Sequence, residues 1–289
     1  REAVLLFDGA YHGHGDALLG GPGSGLTSSA GLLPALSGAL RVGRFNDPSS
    51  ARAFFDTPGG PPACALVEPV LGNIGVVPPQ PGFLEELRLL CDRFGALLIF
   101  DEVITGFRVA RGGAQERYGV RPDLTIFGKI IGGGLPAGAV GGRREIMARL
   151  APEGDVYHAG TMAGNPVVVA AGLAAIETLL ALDPWAALEA LGARLERDLR
   201  DAAGETGAAL QVNRVGSMFS LFFTARPVTD ASSARATDRR RFQRCFARLL
   251  GAGVLLAPSP LEACFLSAAH GEAEVARLVD GVRSALTGA

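Results

Sequence analysis

Short aliphatic runs alternate with amphipathic stretches along the first 130 residues. These runs are VLLF (4–7), CALVEPV (64–70), ALLIFDEV (96–103) and DLTIFGK (123–129). They lack regular polar alternation, which is typical of strands covered on both faces in a parallel sheet. The stretch FLEELRLLCDRF (83–94) instead places its apolar residues on one helical face and is followed by Gly95 as a C-cap. This β-α-β order predicts a doubly wound α/β sheet with ligands at the carboxyl ends of its strands.

The pattern changes after about residue 175. A long helix is predicted over WAALEALGARLERDLRDAAGETG, followed by strand-like GSMFSLFFT and VLLAPSP. We therefore expect a large domain over residues 1–175, and an interdomain helix with a smaller C-terminal α+β domain over 176–289. The polar segment TDASSARATDRRR (229–241) is predicted to be a solvated loop or the start of a helix.

Composition narrows the classes of function. A chain of 289 residues with 48% hydrophobic content can bury a large core. Its net charge of −2, from 27 basic and 29 acidic residues, gives no general attraction to nucleic acid or to a membrane. The four cysteines form no C-x-x-C pair, which favours a reduced, cytoplasmic location. The chain opens on Arg1 at the edge of a predicted strand, so we expect a further segment to precede it.

Two charged groups of opposite sign follow neighbouring predicted strands. The strand ALLIF ends in Asp101-Glu102, and LTIF is followed by Gly128-Lys129. One interpretation is a salt bridge at the edge of the sheet. The other is imine chemistry, because desolvation at the mouth of a crevice favours the neutral amine of a lysine. An acid that keeps a pyridinium nitrogen protonated would complete the pattern of a pyridoxal phosphate enzyme.

Two further motifs suggest other classes of site. YHGHGD (11–16) contains an H-x-H pattern like that of metal hydrolases, but the remaining histidines, His158 and His270, follow no clear strand. A metal site is therefore disfavoured, and His14 is more simply a hydrogen-bonded loop residue. GGGLPA (132–137) fits a nucleotide fingerprint, but it contains Pro136 and lacks the acidic residue that follows the next strand.

Several long motifs occur in one order: YHGHGD, EPVLGNIGVVPP, LLIFDEVITGFR, GGAQERYGVRPDLTIFGKIIGGGLPAGAVGGRREIM, YHAGTMAGNP and APSPLEACFLSAAH. Together they resemble the class III (fold type I) aminotransferases, and within that family the glutamate-1-semialdehyde 2,1-aminomutase branch. The resemblance implies the fold of type I pyridoxal phosphate transferases, in which helices sandwich a mostly parallel sheet. It also implies pyridoxal 5'-phosphate as cofactor, with the pyridoxamine 5'-phosphate form in the cycle.

The resemblance assigns roles near the cofactor. Lys129 would form the imine with the cofactor aldehyde and later move protons, while Asp101 would keep the ring nitrogen protonated. Tyr11 would pack over the ring, and His12 would line the pocket. YHGHGD thus has a stacking role in this interpretation.

Further roles are implied at the rim of the pocket. Asn73 corresponds to a cofactor-side asparagine and Glu262 to an acidic residue near the substrate amines. Thr161 would reach the cofactor phosphate of the neighbouring subunit, so the active site would be shared within a homodimer. Glu68 is left open, because Glu-Pro at a strand end is often only a turn.

The implied reaction acts on a small-molecule amino substrate. An amino group passes to the aldehyde of glutamate 1-semialdehyde, and the other amine is reclaimed to release 5-aminolevulinate in tetrapyrrole biosynthesis. The glycine-rich stretch HGHGDALLGGPGSGLTSSAGLLPALSGA (12–39) corresponds to the gating loop of the family, but it lacks the usual Pro-Asp-Ser-Pro-Gly. The Ser-Gly-Thr-Glu-Ala phosphate loop is also absent. Two alternatives therefore stay open: a class III aminotransferase for another amino compound, and a truncated copy with impaired cofactor binding.

Overall fold

The structure, a computed structural model, describes residues 1–19 and 30–287. Its larger sheet has the strand order β2-β1-β3-β4-β5-β6 within the described residues. The strands are β1 (Val4–Phe7), β2 (Leu40–Gly43), β3 (Cys64–Val67), β4 (Leu97–Asp101), β5 (Leu124–Phe127) and β6 (Ala139–Gly142). The first five are parallel, as predicted, and β6 runs antiparallel to β5. The α/β class is therefore confirmed.

Short helices connect these strands. They are α1 (Asp16–Leu19), α2 (Pro34–Ser37), α3 (Pro48–Phe55), α4 (Phe83–Phe94), α5 (Gly113–Tyr118) and α6 (Arg144–Met147), together with a 3-10 helix at Lys129–Gly132. Helix α4 has the predicted bounds and ends at Gly95, whose φ of 60° is the left-handed conformation that glycine adopts at low cost. Its buried face carries Phe83, Leu87 and Leu90, which pack into the core of the large sheet.

The second half of the chain forms a smaller α+β unit. Its elements are α7 (Pro166–Leu182), α8 (Trp185–Thr206), β7 (Gln211–Val215), β8 (Met218–Phe222), α9 (Ala231–Arg235), α10 (Arg239–Gly251), β9 (Cys264–Phe265) and α11 (Glu272–Thr287). The antiparallel sheet β7-β8-β9 shares a core with α8, α10 and α11. The predicted domain boundary at residue 175 falls inside α7 and stays a prediction.

The strand-like segment VLLAPSP (254–260) is not a strand. It packs Val254 and Leu256 against the small core, while the Leu255 side chain is 76% exposed. The prolines at 258 and 260 have no N–H to donate to a ladder, so apolar character here serves packing without strand pairing. The polar segment 229–241 contains the short helix α9 and the start of α10, in agreement with the expected helix entry.

Part of the predicted gating loop, residues 20–29, lies outside the described residues. Across the part of the chain that the structure describes, no individual helix has the length and apolarity needed to span a membrane. Helices α7 and α8 meet those criteria of length and composition only as a pair bent by 76°. The four cysteines are free thiols.

Candidate active site

Four neighbouring parallel strands end at one edge of the large sheet, and each is followed there by a chemically active side chain. Tyr11 and His12 come after β1, Glu68 directly follows β3, Asp101 ends β4, and Lys129 lies two residues beyond β5. Ligands of doubly wound sheets bind at this edge, because the loops that leave the strands open a crevice there. The fold thus brings together residues from four separate parts of the sequence.

A buried acid–imidazole pair occupies the centre of this edge. The Nδ1 atom of His12 lies 2.7 Å from Oδ2 of Asp101, and both side chains are almost fully buried. The other carboxylate oxygen of Asp101 accepts a hydrogen bond from the backbone N–H of Val103 at 3.1 Å. The Nε2 atom of His12 is buried and has no hydrogen-bond partner among the described residues. His12 therefore fixes the orientation of the Asp101 carboxylate.

A second buried carboxylate, Glu68, lies beside this pair. Its Oε1 accepts hydrogen bonds from the backbone N–H of Tyr11 at 2.7 Å and from Nδ2 of Asn73 at 2.9 Å, and its Oε2 accepts from the N–H of Gly72 at 2.8 Å. Burial raises the pKa of Glu68; the nearby imidazole of His12 opposes this rise and the charge of Asp101 adds to it. Glu68 is therefore an ordered part of the site rather than a turn residue.

Lys129 begins the 3-10 helix and has a φ of 49°, in the left-handed region that non-glycine residues rarely adopt. Helix α7 packs backbone to backbone against this turn. A Cβ on Gly172 would collide with the carbonyl oxygen of Ile131, and one on Gly133 would collide with that of Ala171. The two glycines therefore let α7 support the short turn from which Lys129 projects.

Lys129 is exposed overall, yet its surroundings lower the pKa of its amine relative to that of a lysine in water. Burial lowers the pKa of Lys129, Asp101 and Glu68 oppose that shift, and the guanidinium of Arg108 adds to it. Lys129 forms no ion pair with any described residue, and Asp101 is engaged by His12. The salt-bridge interpretation of Asp101 and Lys129 is therefore disfavoured. Lys129 is also the only lysine in the 289-residue sequence, whereas arginine supplies the other 26 basic side chains.

Sequence reasoning missed Arg108. Its guanidinium carbon lies 4.4 Å from the ring centroid of Phe265 in β9, and its Nε atom is buried without a hydrogen-bond partner in the described part of the chain. This cation–π contact joins the loop after β4 to the smaller sheet. No local sequence pattern reveals it, because the two residues are far apart in the chain.

The sequence pattern also assigned no role to Glu102. Successive strand residues point to opposite faces, so Glu102 faces away from its neighbour Asp101. Its carboxylate accepts hydrogen bonds from the backbone N–H groups of Ala114 and Gln115 at 2.6 and 3.2 Å, at the start of α5. A carboxylate at a helix N-terminus is stabilising, so Glu102 anchors α5 to the end of β4.

The residues predicted at the rim differ in how closely the structure ties them to this centre. Asn73 is bound directly to Glu68. Glu262 is exposed, and its carboxylate has no hydrogen bond or ion pair among the described residues. Its loop is held against the loop of Asn73, because the N–H of Gly75 donates to the carbonyl of Leu261 at 2.7 Å. Glu262 thus lies in a loop that meets the one carrying Asn73.

Thr161 and His14 are exposed, and within the described residues neither side chain forms a hydrogen bond with the central cluster. Thr161 lies in the segment before α7, where Tyr157 and Met162 are also exposed. In the residues that the structure describes, no three side chains of the metal-ligating types converge on a possible ion site. GGGLPA leads from the 3-10 helix into antiparallel β6, and not from a strand into a helix as a nucleotide fingerprint requires.

Comparison with curated proteins identifies similar chains. The glutamate-1-semialdehyde 2,1-aminomutase of Pelotomaculum thermopropionicum is 50% identical over 294 residues, covering 100% of this chain and 68% of that protein. The protein of the same name from Methylacidiphilum infernorum is 48% identical, covering 96% of this chain and 66% of that protein. This chain thus spans about two thirds of the length of these relatives.

Solved structures show the same fold. An omega-transaminase from Sphaerobacter thermophilus superposes with a TM-score of 0.89 at 34% identity, covering 99% of this chain and 68% of that one. A glutamate-1-semialdehyde aminomutase from Pseudomonas aeruginosa, in complex with PMP, gives a TM-score of 0.84 at 26% identity, covering 99% and 66%. The family model for class III aminotransferases matches residues 1–269. This chain therefore belongs to the class III aminotransferase family.

Proposed function

We propose that this chain binds pyridoxal 5'-phosphate at the carboxyl edge of the large sheet and isomerises glutamate 1-semialdehyde to 5-aminolevulinate. The observation that carries the proposal is the placement of the only lysine, with a lowered pKa, on the strand edge that also holds the buried Asp101–His12 pair. The donor set fits the cofactor: an amine for its aldehyde, a carboxylate for its ring nitrogen, and the aromatic side chain of Tyr11, 39% exposed, at the same edge.

When bound, pyridoxal phosphate supplies an aldehyde that condenses with amines and a ring that accepts electrons from the substrate carbon. Lys129 would hold the aldehyde through its Nζ atom and, once released, would carry a proton between substrate atoms. Asp101, oriented by His12, would keep the ring nitrogen protonated. Asn73 would contact the cofactor from the loop after β3, and Thr161 would bind the phosphate of the neighbouring subunit.

The substrate assignment follows from the curated relatives. Chains 46–50% identical to this one are named glutamate-1-semialdehyde 2,1-aminomutase. Isomerisation moves an amino group within one molecule, so no external donor or acceptor is consumed. Glu262, in the loop held against that of Asn73, is the acidic side chain we place near the substrate amines. This activity belongs to tetrapyrrole biosynthesis, which we place in the cytoplasm in keeping with the four free cysteines.

A shared active site in a homodimer is part of the proposal. Helix α7 is almost entirely apolar, yet only Gly172 of its residues is buried within the chain. Val167, Val169 and Leu173 are more than half exposed. An exposed apolar face of this kind is typical of a protein interface. It begins five residues after Thr161, which would thereby be brought to the partner's cofactor. In the same scheme residues 1–175 form the cofactor domain and 176–289 the interdomain helix and small domain.

A second candidate is an aminotransferase for another amino compound. The omega-transaminase noted above and a beta-phenylalanine aminotransferase from Variovorax paradoxus are 34% and 35% identical to this chain, each with a TM-score of 0.89. Both exceed the 26% identity of the Pseudomonas aminomutase. This candidate requires a separate keto acid or aldehyde as amino acceptor, and that requirement distinguishes it from isomerisation.

Two measurements test the proposal. Borohydride reduction after addition of pyridoxal phosphate is expected to attach one cofactor at Lys129, as determined by peptide mass mapping, and Lys129→Arg is expected to abolish this labelling. Purified enzyme is then expected to form 5-aminolevulinate from glutamate 1-semialdehyde without any added amine or keto acid. Turnover that depends strictly on an added acceptor would support the second candidate. Absence of a visible cofactor band and of labelling would instead show a copy that does not bind the cofactor.

A further inference from the structure

We propose that Glu68 is a positioning residue that holds together the two walls of the cofactor site, the loop after β1 and the loop after β3. This inference rests on the proposed function, because its effect is expressed through cofactor binding. Glu68 would not contact the reacting atoms. It would act through Tyr11 and Asn73, which the same carboxylate oxygen holds.

The geometry of the three hydrogen bonds carries the inference. The N–H of Tyr11 comes from the loop after β1, 57 positions away in the sequence. The N–H of Gly72 and the Nδ2 of Asn73 come from the loop that follows β3 itself. One carboxylate therefore spans two loops. Because the N–H of Tyr11 and the Nδ2 of Asn73 donate to the same oxygen, Oε1, at 2.7 and 2.9 Å, this atom limits the separation between the two residues.

Burial shows that this arrangement is not an ordinary Glu-Pro turn. The Glu68 residue is 3% exposed, and an ionisable group removed from water is costly unless its oxygens receive hydrogen bonds. Both oxygens of Glu68 receive them, from donors at 2.7–2.9 Å. A turn at a strand end needs no buried carboxylate with three donors. The two loops thus converge on Glu68 in a way that its turn position alone does not require.

Two substitutions separate the positional role from the charge. In Glu68→Gln the amide oxygen can still accept hydrogen bonds from Tyr11 and Asn73. Only the hydrogen bond from the N–H of Gly72 is lost, because the amide NH₂ group takes the place of its acceptor oxygen. In Glu68→Ala all three donors lose their acceptor. If Glu68 acts by position, the glutamine variant should retain most of the cofactor affinity, whereas the alanine variant should not. Rescue by the conservative variant is the expected signature.

Asp123→Asn provides the matched control. Asp123 is also a buried carboxylate with three donors, namely the N–H of Leu98 at 2.8 Å, Arg88 at 2.9 Å and Arg143 at 2.8 Å. It lies at the opposite end of β5 from Lys129 and contacts neither Tyr11 nor Asn73. Because an amide keeps only one of the two acceptor oxygens and carries no charge, Asp123→Asn weakens a comparable hydrogen-bond network without changing the walls of the site.

The experiment measures the Kd of pyridoxal 5'-phosphate for each variant of the 289-residue chain, together with the visible circular dichroism of the bound cofactor and the cofactor-free melting temperature. We expect Glu68→Ala to raise Kd at least about tenfold and to weaken the dichroic band, because two hydrogen bonds that orient the walls are lost. We expect Glu68→Gln to change Kd less than about threefold. Asp123→Asn is expected to lower the melting temperature and leave Kd and the band unchanged.

Each other outcome has a defined meaning. If wild-type protein binds no pyridoxal phosphate, both the proposed function and the inference that rests on it are wrong. If wild-type protein binds but Glu68→Ala binds equally well with an unchanged dichroic band, only the role of Glu68 is overturned. Equal losses of affinity in Glu68→Ala and Asp123→Asn would likewise overturn it, since the effect would then follow general stability.

Discussion

The Nδ1 atom of His12 and the Oδ2 atom of Asp101 lie 2.7 Å apart, although 89 positions separate the two residues in the sequence. The pair joins the loop after the first strand to the end of the fourth. An acid held in this way has one fixed orientation toward whatever occupies the crevice. Substitution of either partner should therefore affect chemistry more than folding.

We expect Asp101→Asn to lower kcat by roughly a hundredfold or more, because an amide cannot keep a ring nitrogen protonated as a carboxylate does. The Kd of pyridoxal phosphate should rise much less than kcat falls. Steady-state kinetics and cofactor titration measure the two effects. Asp92→Asn, which changes an exposed carboxylate on α4, serves as control and should leave both unchanged. Equal losses of binding and turnover in Asp101→Asn would contradict this role.

The pH dependence of Lys129 can be measured directly, because no other side chain in this sequence carries a primary amine. Only the neutral amine reacts with an aldehyde or an acylating reagent. Asp101 raises the pKa of Lys129 and Arg108 lowers it. We therefore expect the pH of half-maximal labelling to fall in Asp101→Asn and to rise in Arg108→Met, relative to wild-type protein without cofactor. Peptide mass spectrometry separates Lys129 from the terminal amine. Shifts in the opposite directions would show that these charges do not act on Lys129.

The contact between α7 and the 3-10 helix predicts different outcomes for two glycines. Gly172→Ala should destabilise the protein by about 1–3 kcal/mol, because the new methyl group meets the carbonyl oxygen of Ile131. It should also slow the reaction of Lys129 with pyridoxal phosphate. Gly204→Ala lies within α8 with open space around its Cβ, and should stabilise by about 0.5–1 kcal/mol. Urea denaturation provides both free energies, and equal effects at the two sites would contradict the packing argument.

Asp123 predicts a specific loss of stability in acid. Burial raises its pKa, but the donors Arg143, Leu98 N–H and Arg88 outweigh burial and hold the pKa below its ordinary value of 3.8. A carboxylate with a lowered folded pKa stabilises the protein above its unfolded pKa, and this contribution is lost as the pH falls through the folded value. We expect Asp123→Asn to cost about 1–3 kcal/mol at pH 7.

The difference in unfolding free energy between wild type and Asp123→Asn should then narrow below about pH 3.8, as wild-type Asp123 takes up its proton. Urea denaturation at a series of pH values measures this difference. If this difference in unfolding free energy stays constant down to the lowest pH at which the protein folds, the charge of Asp123 does not contribute to stability.

The parts of this fold that the sequence predicts are those that depend on local periodicity. Strand β1 and helix α4 have the predicted bounds, since the aliphatic run and the single apolar face are complete within a few residues. The prediction of a strand at VLLAPSP was wrong because an apolar pattern is local, whereas a strand also needs a neighbouring strand to pair with, and the pattern does not reveal one. The sequence also did not indicate that β6 runs antiparallel.

In the candidate site, too, local sequence patterns predict some residues, and long-range contacts determine the others. Lys129 and Asp101 could be singled out because Asp101 ends a recognisable strand and Lys129 closely follows another. Glu68 could not be assigned, because one of its three hydrogen-bond donors lies 57 positions away. Arg108 and Phe265 likewise meet only when the smaller sheet packs against the loop after β4. Long-range contacts of this kind depend on topology, and hence on the whole chain.

The basic side chains of this chain are one lysine and 26 arginines, and this composition has a chemical consequence. A guanidinium stays protonated at physiological pH and does not condense readily with aldehydes. For imine formation with a reactive carbonyl compound, whether cofactor or substrate, this chain thus offers one side-chain amine, at the carboxyl edge of the large sheet. Incidental imines with other side chains are thereby avoided, and side-chain labelling, counted apart from the terminal amine, reports occupancy of a single position.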